Sequence, residues 1–185
     1  MSYHSKILKK IEHSDWPDFE RNDFLGELHD LAVSLYEKRS IEGYLASFLI
    51  FQQLSEEILK LLIQHSNFFM QLSVFPQEYA PPKTGGKTFG YLIGELESSV
   101  CDKKTKNLIK KAKDLNSLRI NLVHKIALKT SVSDIRRQAK SARGLYDKIL
   151  ELFLDIRDKY HVSFSKYSDD LNNYKELATE YLVDE

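Results

Sequence analysis

The sequence has few residues that could cross-link the chain or interrupt its helices, and little that would favour strands. It has one cysteine, Cys101, so no internal disulfide is possible, which suits a reducing compartment. Only seven glycines and four prolines interrupt 185 residues, and no stretch keeps the alternating pattern of a strand. We therefore predict an all-α protein: a single domain over residues 1–185, built as an antiparallel bundle of five to six helices with short terminal helices. Its core is predicted at about 18–160, with a tail helix within 161–185.

Long apolar runs are also missing. The most apolar stretch, Leu45 to Phe51, is followed at once by Gln52 and Gln53, and it is far shorter than a membrane span. The N-terminus has no apolar run that could serve as a signal peptide. These absences predict a soluble, cytoplasmic protein with no membrane contact.

Several kinds of chemical site lack their residues. None of the six histidines follows a Glu by three positions, and no Cys/His cluster exists, so we predict no metal and no cofactor. Gly86-Lys87-Thr88 resembles the end of a phosphate-binding loop, but Pro81 stands where that loop needs glycine. This excludes a nucleotide triphosphatase. A DNA-reading helix-turn-helix stays open, although no basic second helix after a short turn stands out.

Charge is balanced overall but unevenly distributed. Residues 103–143 hold thirteen Lys and Arg against Asp114 and Asp134, whereas the N-terminal part and the tail are acidic. Such an excess attracts a polyanion, although two solvated helix faces would give the same count. The candidate RNA-binding residues are Lys110, Lys111, Lys125, Arg136, Arg137 and Lys140.

Apolar residues at steps of three and four place the helices. After a short helical or loose lead over 1–17, we predict helices at about 18–38, 41–70, 88–99, 104–126, 133–160 and 168–182. The stretch 73–87 holds three prolines and two glycines and is predicted to be a loop.

One helix, at about 104–126, carries a charge in an apolar stripe. The stripe consists of Leu108, Ala112, Leu115, Leu118, Leu122 and Ile126. Arg119 projects into its middle, where a buried and unpaired guanidinium would cost several kcal/mol. It therefore needs an anionic partner such as a bound anion or a core carboxylate, a wet cleft, or another chain that supplies the partner. Glu56 or Glu57 of the preceding long helix could supply the carboxylate, and Arg119 would then be purely structural.

Arg119 is followed by His124 in the stretch LNSLRINLVHKI, which gives Arg-x4-His on an amphipathic helix. In an all-helical chain this resembles the HEPN family, small helical domains with an Arg-x4-6-His motif. The stretches FLIFQQLSEEILKLLI (48–63) and KTFGYLIGELE (87–97) also resemble helices of that family, so the likeness covers about residues 41–128. The family usually has a polar residue directly after the Arg, often Asn. Here that residue is Ile120, and Asn121 comes one position later.

The resemblance implies a metal-independent endoribonuclease that leaves a 2′,3′-cyclic phosphate. The implied catalytic residues are Arg119 on the phosphate, His124 as general acid or base, and Asn121 as an orienting group. A homodimer is expected, since two copies of this helix meeting across a two-fold axis would bury the stripe. Such proteins often serve as toxins of toxin–antitoxin pairs or in phage defence, so an antitoxin protein is a further implied partner.

The alternative function is a non-catalytic helical module. A domain of the same fold could bind a partner protein, a nucleotide or RNA without cutting it, and Ile120 in place of the polar residue favours this interpretation.

Overall fold

The computed structural model describes residues 2–82, 86–99, 102–125 and 131–183, and for 123–125 and 182–183 it describes the backbone alone. This part of the chain is helical and has no strand, which confirms the all-α class. It contains seven helices rather than five to six: α1 (Tyr3–Glu12), α2 (Asn22–Glu37), α3 (Ile41–Val74), α4 (Phe89–Ser99), α5 (Lys103–Lys125), α6 (Val132–Asp169) and α7 (Leu171–Val183).

Two helices extend further than predicted. Helix α3 reaches Val74 instead of 70, and α6 reaches Asp169 instead of 160. Beyond Ile156 the buried face of α6 is continued by Tyr160 and Phe164, which pack on the rings of His65 and Phe68. Aromatic side chains thus replace the aliphatic ones whose spacing marked the helix.

The long helices α3 and α6 lie side by side and run in the same direction. Ring contacts mark their register: the Phe51 and Tyr146 centroids are 5.0 Å apart, and the Phe68 and Phe164 centroids are 5.2 Å apart. At the first turns of both helices, Tyr44 packs with Ile135 and Ala139 in a small buried cluster. The N-termini of α3 and α6 therefore lie at one end of the bundle.

The directions of α5 and α4 can be given relative to α6. Helix α5 runs antiparallel to α6, since Lys104 pairs with Asp155 near its start and Asn121 shares a groove with Ser141 near its end. Helix α4 runs antiparallel to α5, with Glu97 bonded to Lys113 and Gly90 next to Asn116. The C-terminal half of α5 therefore lies at the end of the bundle where α3, α4 and α6 begin.

The terminal helices close the opposite end. Residues of α1 and α7 pack around Phe68, Leu72 and Phe164 in a second buried cluster. The segment between α1 and α2 crosses this end of the bundle, and Trp16 lies against Phe68 and Phe164. Among the described residues, no helix is long and apolar enough to cross a membrane.

A close backbone contact fixes the turn between α2 and α3. Ser40 caps α3 by accepting a hydrogen bond from the Gly43 N–H at 3.0 Å, and a Cβ on Gly43 would overlap the carbonyl of Leu35. Gly26 in the middle of α2 has open space instead. Position 43 therefore needs glycine, because any side chain there would collide with the backbone of α2.

Gly43→Ala is expected to lower the free energy of unfolding by about 1–3 kcal/mol, because the carbonyl of Leu35 cannot move without shifting α2. Gly26→Ala is the matched control, and it should raise that energy by about 0.5–1 kcal/mol through helix propensity alone. Urea unfolding measures both. A neutral Gly43→Ala would contradict the close contact.

Burial of His65 makes the bundle sensitive to acid. The side chain is fully buried and its Nε2 lies 2.7 Å from the Pro17 carbonyl, which accepts its hydrogen bond. Burial lowers the pKa of His65 from 6.5 to about 4, assisted by the neighbouring His161 and Arg157, while the hydrogen bond to Pro17 and the charge of Asp18 oppose the shift. Between these values the unfolded chain binds more protons than the folded one, so stability falls as the pH drops below 6.5.

We expect His65 to account for a loss of about 2.5 kcal/mol between pH 7 and pH 4.5. His65→Gln keeps a donor for Pro17 but cannot titrate, so its stability should fall less over this range. The fluorescence of Trp16, the single tryptophan, reports urea unfolding at both pH values. His13→Gln, at an exposed position, should behave like the wild type. Equal pH dependence in His65→Gln and the wild type would refute the assignment.

Candidate functional site

The apolar stripe of α5 is covered by the chain itself. Leu108, Ala112, Leu115 and Leu122 are at most 3% exposed and belong to the main core, and Leu118 packs against that core. Ile126 lies outside the described residues. A second copy of α5 would therefore find no bare stripe to bury, and this argument for a homodimer loses its support. The homodimer itself stays a prediction.

Arg119 is the exception within this stripe. It is half-buried, and its Nε is enclosed without a hydrogen-bond partner. Neither terminal nitrogen is both buried and unpartnered, and no described residue bonds to them, so both keep contact with solvent. The Nε of the guanidinium thus lies among apolar side chains, and its two terminal nitrogens face solvent.

The predicted carboxylate partners of Arg119 are engaged elsewhere. Lys60 pairs with Glu56 at 3.2 Å and with Glu57 at 2.8 Å. No other acidic side chain of the described residues forms an ion pair with Arg119. The purely structural interpretation of Arg119 therefore lacks the partner that it requires.

The other two predicted catalytic residues lie on different faces of α5. Asn121, two residues on, is turned by about 200° from Arg119. It lines a groove of about 540 Å³ between α5 and α6, together with Lys111, Leu118 and Ser141. His124 is in the last turn of α5, at a helical position about 140° from Arg119. The side chains of His124 and Lys125 lie outside the described part of the structure. One chain therefore does not bring Asn121 beside Arg119.

Most of the predicted RNA-binding cations are free of ion pairs. Lys110, Arg136 and Lys140 are exposed, and none of them pairs with a described residue. Arg137 is bonded to Asp134 at 2.6 Å. Lys111 is half-buried in the α5–α6 groove.

The basic segment folds back on itself, so its charges are spread over two helices. Asn121 lies across from Ser141, which places Lys140 about level with Arg119. Lys106 lies thirteen residues before Arg119, or about 20 Å along the helix axis. Arg136 and Lys140 therefore lie at the same end of the bundle as Arg119, whereas Lys106 does not. At this end the positive N-terminal dipoles of α3, α4 and α6 are partly offset by the negative C-terminal dipoles of α2 and α5.

Sequence reasoning missed one neighbour of Arg119. Asn116 lies three positions earlier, about 60° away on the same side of α5, and its Oδ1 is also buried without a partner. Its Nδ2 would lie 3.5 Å from a Cβ placed on Gly90, so Asn116 faces the first turn of α4. The available signal was the helical spacing of three between Asn116 and Arg119.

Among the described residues, no group of three or more His, Cys, Asp or Glu side chains could hold a metal ion. Comparisons with known protein families, with curated proteins and with solved structures found no match to this chain.

The Nε of Arg119 is buried without a hydrogen-bond partner, and the cost of this to stability can be tested by replacing the side chain. We expect Arg119→Leu to raise the free energy of unfolding by about 1–2 kcal/mol, because leucine completes the stripe and no ion pair is broken. Arg137→Leu, at an exposed site, should change it by less than about 0.5 kcal/mol. Urea denaturation measures both variants. A loss of more than about 1 kcal/mol in Arg119→Leu would show that Arg119 has a structural partner.

Proposed function

We propose that this protein is a metal-independent endoribonuclease of HEPN type. The observation that supports it is the state of Arg119: a guanidinium anchored in an apolar floor, open at its outer edge and without a carboxylate partner. Such a group is a preorganised donor for an oxyanion, since no ion pair must be broken before the anion binds. The sequence motif supplies His124 as the proton-transfer group five residues later.

The chemistry needs no metal. A base removes the proton of a ribose 2′-OH, the 2′-oxygen attacks the adjacent phosphorus, and the bond to the 5′-oxygen breaks. The leaving oxygen takes up a proton, and the products are a 2′,3′-cyclic phosphate and a 5′-hydroxyl. We assign the proton transfer to His124 and the phosphate oxygens to Arg119.

The helical register favours a site shared by two chains. Positions 119 and 124 point about 140° apart on α5, so a phosphate beside one Arg119 is more readily reached by His124 of a second copy. The predicted homodimer would meet this need. Ile120, which is 45% exposed between the two positions, offers an apolar contact for it.

The location of Arg119 is consistent with RNA as the ligand. It lies at the end of the bundle where three helices begin and where Arg136 and Lys140 are exposed and unpaired. A polyanion is therefore attracted to this end. The toxin or phage-defence role, the antitoxin partner and the cytoplasmic location rest on the resemblance alone and stay predictions.

Binding without cleavage is the second candidate. It is favoured by Asn121, which faces the α5–α6 groove rather than Arg119, and by Ile120 in the position of the family's polar residue. A module of this kind would use Arg119 and the nearby cations to hold RNA, and it would leave the strand intact.

A ribonuclease assay in EDTA separates the two candidates. The wild-type protein should cleave single-stranded RNA in EDTA and leave 2′,3′-cyclic ends that mass spectrometry identifies, whereas DNA and 2′-O-methyl RNA should stay intact. Arg119→Ala and His124→Ala should each lower the rate by at least about 100-fold, since general acid–base groups contribute about 10²–10⁴-fold.

Two matched variants serve as controls. His13→Ala and Arg21→Ala remove the same residue types at exposed positions outside α5, and they should cleave at the wild-type rate. Circular dichroism confirms that each variant is folded. Cleavage that persists in both Arg119→Ala and His124→Ala would overturn the proposal, and a salt-dependent gel shift without cleavage would support the binding module.

A further inference from the structure

An apolar strip lies on the outside of α2 and α3. Phe24 and Leu31 on α2 and Leu49 on α3 are 48%, 47% and 52% exposed. The helices run antiparallel, because His29 contacts Phe51 and Tyr36 contacts Tyr44, and this register places Leu31 opposite Leu49. Three large side chains therefore share one face that the chain leaves uncovered.

A groove follows this strip toward the other end of α2. Its volume is about 520 Å³, and its walls include Phe24 and Leu28 from α2 and Gln53 and Glu57 from α3. From Phe24 to Leu31 the face spans about 10 Å, or two helical turns. This length and the apolar spacing suit a short amphipathic helix lying along the groove.

The segment that leads into α2 and the first half of α2 itself are acidic. Residues 12–30 hold seven Asp and Glu against one basic residue, Arg21, and all seven acidic residues are exposed. Five of their side chains form no ion pair or hydrogen bond with any described residue: Asp15, Glu20, Asp23, Glu27 and Asp30. Lys60, at the edge of the groove, is neutralised by Glu56 and Glu57. The face therefore attracts cations.

We propose that this α2–α3 face docks a basic amphipathic helix of a different protein. The apolar side chains of that helix would cover Phe24, Leu31 and Leu49, and its Lys and Arg would meet the unpaired carboxylates of α2. A second copy of this chain is the less suitable occupant. Its basic surface lies on α5 and α6, so the contact would be head-to-tail and would form a ring or a filament instead of a two-fold dimer.

A labelled synthetic peptide tests the proposal. The probe is an 18-residue helix with Leu at positions i, i+3, i+4 and i+7 and Lys elsewhere, and the comparison peptide has Glu in place of every Lys. Fluorescence anisotropy should show binding of the Lys peptide, weakened by salt, and no binding of the Glu peptide. The pair Leu31→Ser and Leu49→Ser should weaken binding at least tenfold.

Matched variants separate this face from general attraction. Leu154→Ser with Val162→Ser removes two exposed apolar residues from α6, and Glu176→Lys with Glu180→Lys reverses exposed charges on α7. Both pairs should bind as the wild type, whereas Glu27→Lys with Asp30→Lys should bind at least tenfold more weakly. Circular dichroism checks that each variant is folded.

No binding of the Lys peptide, or equal binding by the Leu31/Leu49 variant and the wild type, would overturn the proposal. Self-association in sedimentation that the Leu31/Leu49 pair abolishes would also overturn it, because the occupant would then be a second copy. None of these outcomes depends on RNA cleavage, so this proposal and the ribonuclease proposal succeed or fail separately.

Discussion

The parallel packing of α3 on α6 is the constraint on which the rest of the bundle depends. Aromatic pairs hold the two helices in register from Tyr146 to Phe164. Because they run in the same direction, the chain between them must return to the starting end, and the antiparallel helix α5 leads back to the end where α6 begins. Three helix N-termini and the end of α5 are thereby collected in one place.

Within that arrangement Arg119 occupies a position where an apolar side chain would give a more stable fold. Its neighbours along the stripe are leucines and an alanine of the main core, and a further leucine would satisfy the packing better. Local violations of an otherwise consistent pattern are typical of functional positions, because the chain tolerates a cost there that it avoids elsewhere. Because Glu56 and Glu57 are paired with Lys60, they leave Arg119 available for the anion that we propose.

Features that depend on residues close together in the sequence could be predicted, and features that depend on residues far apart in the sequence could not. Leucines at steps of three and four, visible within one stretch, predicted the all-helical class, and clustered prolines and glycines predicted the loop before α4. The same spacing placed Arg119 inside the stripe of α5. It ended α6 too early, since beyond Ile156 the buried side chains are aromatic and their partners, His65 and Phe68, belong to α3. The parallel pairing of α3 and α6 and the covered stripe involve distant segments, so spacing within one helix could not reveal them.

We propose that Arg119 is unpaired in the free protein and binds a phosphate oxygen of RNA. The ¹H–¹⁵N resonance of its Nε–H reports on both states. The resonance is assigned by its loss in Arg119→Lys and followed while uncleavable 2′-O-methyl RNA is added. The Nε–H proton should exchange slowly with solvent in the free protein, because Nε is buried, and its resonance should shift saturably as RNA binds. A resonance that does not move at saturating RNA, or that already shows coupling to a protein carboxylate without RNA, would contradict the proposal.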